Sequence, residues 1–590
     1  MNSPAEFYNQ QIDKYQRDLE AASKKLGLSS LLRLVIFLAL VYATYYFWGN
    51  LSVLLPVLLL GVAIFLYLVS RHSDLKYERD KFRELININK TELKVLNRHF
   101  HQLPSGKEFE DPLHPFSQDV DLFGKGSFFQ YLNRTSLAEG TRKLAALLLA
   151  NNIEQIAEKQ EAIKELSEKA DWRQNFSALA VLVKTKTSSR VILEWFGSYT
   201  IFVPKIMKLL PWLFSIVSTA LITGFFFDII TGIQLGIWFF IGLAITGIYL
   251  KKINQLSTHV SEVQETFHQY YQLLGLIEDT GFQAGILREK RNNIHLNDQK
   301  ASGILKKFSK AIDALDQRNN MIFGILGNGF LLWDLRQSYK LEQWISSYRN
   351  QVGKWFEVIE FLDAYNSLGN FSFNHPAYVF PTLNSDSHIS EATALAHPLL
   401  DPEKRIANDF SIEKEEFFII TGANMAGKST FLRTVSLQII MANLGLPICA
   451  SSCNYTPIKL ITSMRTTDSL TDDESYFFSE LKRLKFIVDE IKTDQYFIIL
   501  DEILKGTNST DKAIGSKKFI EKLVGSRSTG IIATHDLSLC EVADVLPQVE
   551  NYYFDAEIIN EELNFDYKFK KGICQNMNAS FLLKKMEIVD

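Results

Sequence analysis

Between residues 34 and 70 the chain carries no charged side chain, and the run LVIFLALVYATYYFWGNLSVLLPVLLLGVAIFLYLVS is apolar almost throughout. A helix needs about 20 apolar residues to cross hydrocarbon about 30 Å thick, so this run predicts two spans that turn at Trp48, Gly49 and Asn50. A second pair is predicted at 209–227 and 229–250, with Asp228 at its turn. There an ionised carboxylate avoids the roughly 2.5–3.5 kcal/mol that it would cost at a helix centre. Lysine and arginine flank both pairs on the side away from the turns: Lys14, Arg17, Lys24, Lys25 and Arg33 before the first, Arg71, Lys76, Arg79 and Lys81 after it, Lys205 and Lys208 before the second, Lys251 and Lys252 after it. The positive-inside rule then predicts a multi-pass protein of four spans with both termini and the large polar segments in the cytoplasm. The first run starts too late and continues too far for a cleavable signal peptide. Burial of either hairpin in a soluble core is the alternative, and it has more room at the second pair, where Gly and Thr are frequent.

The polar stretches divide the rest. Residues 1–30 predict an amphipathic, charged helix with Phe7, Ile12 and Tyr15 on one side. Helical spacing dominates 75–205 and returns in 253–368. From about 370 the texture changes to short β-rich runs and then to alternating strands and helices, an α/β pattern. At 590 residues three or four structural units are expected. The net charge of -4 excludes a globally basic nucleic-acid binder, so any such contact has to be local. Arg288, Lys290, Arg291, Lys300, Lys306, Lys307 and Lys310 form the best local patch, although the acidic residues among them favour a solvated face. Cys449, Cys453, Cys540 and Cys574 fit neither a disulfide framework nor a paired zinc motif, and predict reduced, buried thiols.

The chemistry sits near the C-terminus. FFIITGANMAGKST, an apolar strand followed by Gly422-x-x-x-x-Gly427-Lys428-Ser429 and an amphipathic helix, has the context of a P-loop. Gly422, Ala423, Asn424, Met425, Ala426, Gly427, Lys428, Ser429 and Thr430 are the predicted nucleotide-binding segment. Its backbone amides and helix N-terminus would cradle phosphates, Lys428 would reach the β and γ phosphates of ATP, and the Ser429 hydroxyl would face Mg2+. QYFIILDE delivers Asp501 and Glu502 at the C-terminal edge of a strand. Asp501 is the predicted Mg2+ partner and Glu502 the group that polarises water. STGIIATHDLS ends a further strand at Thr534 and His535, and His535 is a candidate for contact with the γ-phosphate or the water.

TGANMAGKST, DSLTDDESYFFSEL, LDEILKGTNSTD and ATHDLSL, in this order, resemble the ATPase domain of MutS proteins, the DNA mismatch-repair branch of ABC-type ATPases. Residues 119–166 and 394–412 are similar to the start of the family's core domain and to the segment that leads into its ATPase. The resemblance implies a homodimer with composite sites. Ser475, as the signature serine, would face the nucleotide held by the other copy. Residues 505–511, with Asn508 and Ser509, would line the dimer seam, and Ile406 would contact adenine. Arg405 stands where the family often has a stacking aromatic.

The expected architecture is therefore an N-terminal helix (1–30), membrane hairpin 1 (31–71), a first part of a helical core (75–205), membrane hairpin 2 (209–250), a second core or lever part (253–368), and an α/β P-loop ATPase domain of ABC type (370–590). The mismatch-reading domain with its Phe-x-Glu wedge and the C-terminal tetramerisation extension have no expected counterpart, and the clamp is expected to be short or missing. Three functions remain open: a membrane-tethered MutS-like ATPase that binds mismatched or structured DNA; a membrane ATPase whose dimerisation moves its own helices or a protein partner; and, less well supported for want of an LSGGQ-type signature, a transporter.

Overall fold

The computed structural model describes residues 3–182, 187–296, 299–384, 387–423, 425–465, 476–505, 507–559 and 562–575. Its first half is helical. Helix α1 (Pro4–Tyr46) and helix α2 (Leu51–Leu96) form an antiparallel pair joined by the turn at 47–50. Few residues of either apolar run are buried, and each run belongs to a longer helix. The charged stretch 4–30 and the apolar stretch after it are one uninterrupted helix, because a change from polar to apolar side chains leaves the backbone hydrogen bonds intact and no proline or capping residue intervenes. In the polar part of α1 the buried positions are Tyr8, Tyr15, Ala22 and Ser29. This seven-residue repeat is the seam of a coiled-coil-like contact; of the expected apolar side, Tyr15 lies on it, whereas Phe7 and Ile12 are only partly buried and Tyr8 takes the first position. Tyr15 packs with Leu85, Ile86 and, from helix α3 (Ala170–Leu182), Ala178.

Helix α4 (Leu210–Phe226) and helix α5 (Gly232–Glu278) form the second pair, and Asp228 sits at the turn in a left-handed conformation, φ +57°. α5 continues from its apolar N-terminal half into the helical core, where helix α6 (Ala301–Asp316) packs along it. A short apolar helix, α7 (Met321–Leu331), precedes helix α8 (Trp333–Asn374), which runs without a break to the start of the β-rich region. Helices thus cross the expected boundaries at 30, 71, 250 and 368.

The far end of α2 is fastened to the far end of α8. Glu92, almost fully buried, pairs with Arg134 at 2.6 Å and accepts from Asn374 Nδ2 at 2.8 Å, while Tyr8 Oη donates to Asn374 Oδ1 at 2.7 Å. The basic patch predicted between 288 and 310 is partly neutralised: Lys290 pairs with Glu357, Lys300 with Asp279, and the Arg291 guanidinium donates to the Glu278 carbonyl.

The C-terminal part holds two larger sheets and, among the described residues, a two-stranded antiparallel pair, Glu557–Ile559 with Glu562–Asn564. A four-stranded sheet has the order β1-β5-β2-β3, with β1 Thr382–Leu383, β2 His388–Leu395, β3 Asn408–Glu413 and β5 Ser452–Tyr455. The larger sheet has the order β10-β9-β4-β8-β7-β6, with β4 Phe417–Gly422, β6 Lys459–Ser463, β7 Tyr496–Asp501, β8 Thr529–Ala533, β9 Val549–Phe554 and β10 Lys570–Lys571. Its strands are parallel except β10. Central strands covered on both faces read as continuous apolar runs, and β4 and β8 are buried at every residue. Alternate side chains still go to opposite faces: Phe418 and Ile420 join the large apolar cluster of the helical half, whereas Phe417 and Ile419 face Leu484, Ile487 and Ile520. One face of the sheet is therefore continuous with the helical core.

Candidate nucleotide site

Strand β4 runs into the loop at 423–427 and then into helix α9 (Lys428–Asn443). Gly422 and Gly427 have φ of +147° and +103°, and Met425 is left-handed at +67°. A Cβ on Gly422 would lie 2.5 Å from the Phe554 carbonyl oxygen, so a side chain there would collide with backbone. Lys428 is buried, and its Nζ donates to the carbonyls of Gly422 at 2.6 Å and Ala423 at 2.9 Å. Burial lowers its pKa from the ordinary lysine value, and the carboxylates of Asp501 and Glu502 oppose that shift. Ala426 is buried and Thr430 lies in the first turn of α9. Asn424 lies outside the described residues.

The parallel pairing of β4, β8 and β7 brings three strand ends together. Ser429 Oγ donates to Asp501 Oδ2 at 2.7 Å. Glu502, one residue past β7, is left-handed at φ +53°, its N–H bonds the Ala533 carbonyl at 2.9 Å, and its carboxylate lies 3.6 Å from Lys512 Nζ and 3.9 Å from Lys505 Nζ. His535 follows β8. Burial lowers its pKa below the ordinary histidine value, and Lys428 lowers it further against the pull of Glu502 and Asp501. Lys428, Ser429, Asp501, Glu502 and His535, predicted from separate motifs, thus meet at one sheet edge.

Ser429 Oγ and Asp501 Oδ2 are an oxygen-only pair that already meets in a hydrogen bond. That fits Mg2+, which usually takes one or two carboxylates together with substrate phosphates and waters.

Beside the loop lies a cleft lined by Ile406, Asn408, Gly427, Thr430, Phe431 and Tyr567. Tyr567 brings an aromatic ring to this cleft. It is left-handed at φ +51°, and its ring would come within 3.0 Å of a Cβ on Gly427. Asn408 pins it: Nδ2 donates to the Tyr567 carbonyl at 3.0 Å and Oδ1 accepts the Phe569 N–H at 2.9 Å. Arg405 instead reaches Tyr378, donating to its hydroxyl at 3.2 Å. Sequence reasoning missed Tyr567, which lies 140 residues past Gly427 with no motif around it; the short FDYKF run before Gly572 was the available signal.

Glu480 was also missed. It lies on helix α10 (Tyr476–Glu490), almost fully buried, and accepts the backbone N–H of Leu504 at 2.5 Å and of Lys505 at 3.0 Å. Ser475, just before α10, lies outside the described residues. Asn508 and Ser509 are exposed at the start of helix α11 (Ser509–Gly525), where the Asn508 side chain caps the Asp511 N–H at 2.8 Å. The four cysteines are buried.

A family model described as MutS domain V matches residues 418–586. This C-terminal segment thus belongs to the MutS domain V family. MutS protein homolog 4 of Homo sapiens is 34% identical over 204 residues, 32% of this chain and 21% of that protein. DNA mismatch repair protein MSH4 of Arabidopsis thaliana is 30% identical over 197 residues, 32% of this chain and 24% of that protein. DNA mismatch repair protein MutS of Methanococcoides burtonii is 31% identical over 239 residues, 39% of this chain and 26% of that protein. The chain therefore aligns with about a fifth to a quarter of the length of these relatives. The MutS domain V match contains the phosphate loop, Asp501, Glu502, His535 and Tyr567. The apolar helices lie before it.

The helical half also touches this domain. Asp119 is buried; it accepts Thr462 Oγ1 at 2.6 Å, the Met464 N–H at 3.1 Å and the Arg465 N–H at 2.8 Å. It thereby holds the outer strand β6 and the residues that lead toward Ser475.

Proposed function

We propose that this protein is a membrane-anchored ATP hydrolase of the MutS family that works as a homodimer and binds mismatched or structured DNA. The observation that carries the hydrolase reading is the bond from Ser429 to Asp501 beside the buried Lys428. Two motifs 72 residues apart supply a hydroxyl, a carboxylate and an ammonium at one sheet edge.

In this reading the loop amides and the N-terminus of α9 bind the triphosphate oxygens, and Lys428 exchanges its two loop carbonyls for the β and γ phosphates. Ser429 and Asp501 would hold Mg2+, which when bound neutralises charge on the phosphates. Glu502 orients a water molecule and accepts its proton, with the Lys512 and Lys505 ammonium groups 3.6 and 3.9 Å from its carboxylate. His535, neutral at pH 7, donates or accepts a hydrogen bond at the γ-phosphate or the water according to its tautomer. Tyr567 and Ile406 bracket the adenine, and Ser475 with residues 505–511 completes the site of the other copy. The apolar runs of α1, α2, α4 and α5 span the bilayer, with the ATPase domain on the cytoplasmic side.

A second reading is favoured by one observation: α8 runs unbroken from the apolar helix α7 to the ATPase region. In that reading dimerisation on ATP moves the spans or a protein partner, and DNA plays no part. ATPase turnover of the detergent-solubilised full chain, measured without DNA and with duplex, mismatched and branched DNA across a salt series, separates the two. Salt-sensitive stimulation supports DNA as the partner. Turnover indifferent to DNA supports the second reading, and no turnover at all overturns both.

A further inference from the structure

The stretch 319–333, NNMIFGILGNGFLLW, contains no charged side chain, and at 15 residues it is too short to cross a bilayer. Its helix α7 exposes Met321, Ile322, Ile325 and Leu326, each about half or more exposed, on one side. The opposite side packs on the apolar parts of α4 and α5. The contact with α5 is backbone against backbone. A Cβ on Gly242 would lie 2.3 Å from the Gly329 carbonyl oxygen, and a Cβ on Gly329 would run into the Phe239 ring. Gly242 is nine residues before Lys251, so Gly329 sits roughly 13 Å along α5 from the basic border of that span.

The two ends of the stretch return to the same place. Arg318 and Asp334, the first charged residues on either side, form a buried ion pair at 3.0 Å, and Arg318 also donates to Asn254 Oδ1 at 2.7 Å, just past the basic border. The Arg336 guanidinium lies 3.9 Å above the ring of Trp212, near the start of α4. Within the stretch, polar groups are satisfied internally. Asn320 caps the N–H groups of Ile322 and Phe323, Asn328 Nδ2 donates to the Gly324 carbonyl at 2.9 Å, and Asn328 Oδ1 accepts the Asp334 N–H at 2.9 Å. That is the condition under which irregular backbone is tolerated at membrane depth.

From these contacts we infer that α7 is a re-entrant membrane element: it dips into the cytoplasmic half of the bilayer against α5, presents Met321, Ile322, Ile325 and Leu326 to lipid hydrocarbon, and returns to the surface at the Arg318–Asp334 pair. The occupant of its apolar face is lipid, because that face is continuous with the exposed apolar bands of α4 (Leu213, Ile216, Val217) and α5 (Phe240, Ile241, Ile248). This rests on the membrane reading above. It makes α8 a direct connection between the bilayer and the ATPase region.

The test uses the full-length chain in phosphatidylcholine–phosphatidylglycerol vesicles, with a fluorophore on one added cysteine; the four native cysteines are buried. Ile322→Cys and Ile325→Cys are compared with Leu213→Cys, on the span, and Lys340→Cys, exposed on α8. Nitroxides on the lipid chains should quench the probes at 322 and 325 as fully as the one at 213, and aqueous iodide should quench only the one at 340. If 213 is lipid-quenched while both 322 and 325 follow 340, the inference is overturned and the membrane reading stands. If 213 also follows 340, both fall. Two independent positions guard against a single variant that misfolds.

Discussion

Glu480 holds the backbone N–H of Leu504 at 2.5 Å and that of Lys505 at 3.0 Å. The residues that it pins, Ile503 to Lys505, directly follow Glu502, and both Glu502 and Leu504 are left-handed, at +53° and +61°. Non-glycine residues pay a conformational penalty there, so the loop keeps its shape only where neighbours over-determine it. In Glu480→Ala two buried donors lose their partner, at a cost of about 1–3 kcal/mol. The expected result is a turnover reduced about tenfold or more, by the usual scale of 1.4 kcal/mol per decade, with the KM for ATP unchanged. Steady-state ATPase kinetics check this; a raised KM with normal turnover contradicts it.

Lys428→Ala and Glu502→Gln should fail differently. The first removes the ammonium placed among the loop carbonyls, and a fluorescent ATP analogue should then bind weakly or not at all. The second keeps shape and hydrogen bonding but cannot accept a proton; hydrolysis should slow by about 10^2–10^4-fold while ATP stays bound. Equilibrium binding and single-turnover assays read the two effects separately.

Tyr567→Ala should raise the KM for ATP with little change in turnover, since aromatic stacking on a base is worth about 1–3 kcal/mol. Tyr567→Phe should behave like the parent chain. Equal loss in both variants would indicate that the hydroxyl, not the ring, matters.

Activity should fall on the acid side. Burial, then Lys428, holds the His535 pKa below the ordinary value of 6.5, so the ring is neutral at pH 7 and protonates only as pH drops below that value. Protonation adds a second positive charge beside Lys428. The acid limb of kcat/KM should therefore lie below pH 6.5, and His535→Gln, which cannot titrate, should lose the part of that limb that histidine contributes. A limb unaltered in the variant assigns it to another group.

Glu92→Ala should destabilise the joint between α2 and α8. Removing one member of a buried ion pair costs about 3–5 kcal/mol because the remaining charge is stranded, and here Arg134 and Asn374 would both lose the partner. Thermal denaturation of the reconstituted protein should show a lower Tm, and Glu92→Gln should restore part of the loss.

The legibility of this chain tracked how local each determinant is. The phosphate loop and the strand that ends at Asp501 are contiguous patterns, because glycine, lysine and acid must stand at fixed offsets on a strand–loop–helix or a strand edge. The apolar runs were equally plain, since twenty uncharged residues are a property of one segment. Tyr567 was not, because its role depends on Asn408, 159 residues earlier, turning its backbone toward Gly427. Glu480 reads as one acid among several on an amphipathic helix, and only the return of Leu504 gives it a partner. The extent of α1 and α5 was missed for another reason: polarity changes at the expected membrane border, and helix geometry does not. In α7 the run was too short to count as a span, and the Arg318–Asp334 closure that explains it is tertiary.

Helix α8 has 42 residues and no proline, so it measures about 63 Å from Trp333 to Asn374. Over that length an angular change of about 5° at the C-terminal end sweeps the opposite end through roughly 5 Å, a full helical turn's worth of travel. A rearrangement too small to disturb the packing of the sheet would thus arrive at Trp333 as a displacement larger than a side chain's breadth.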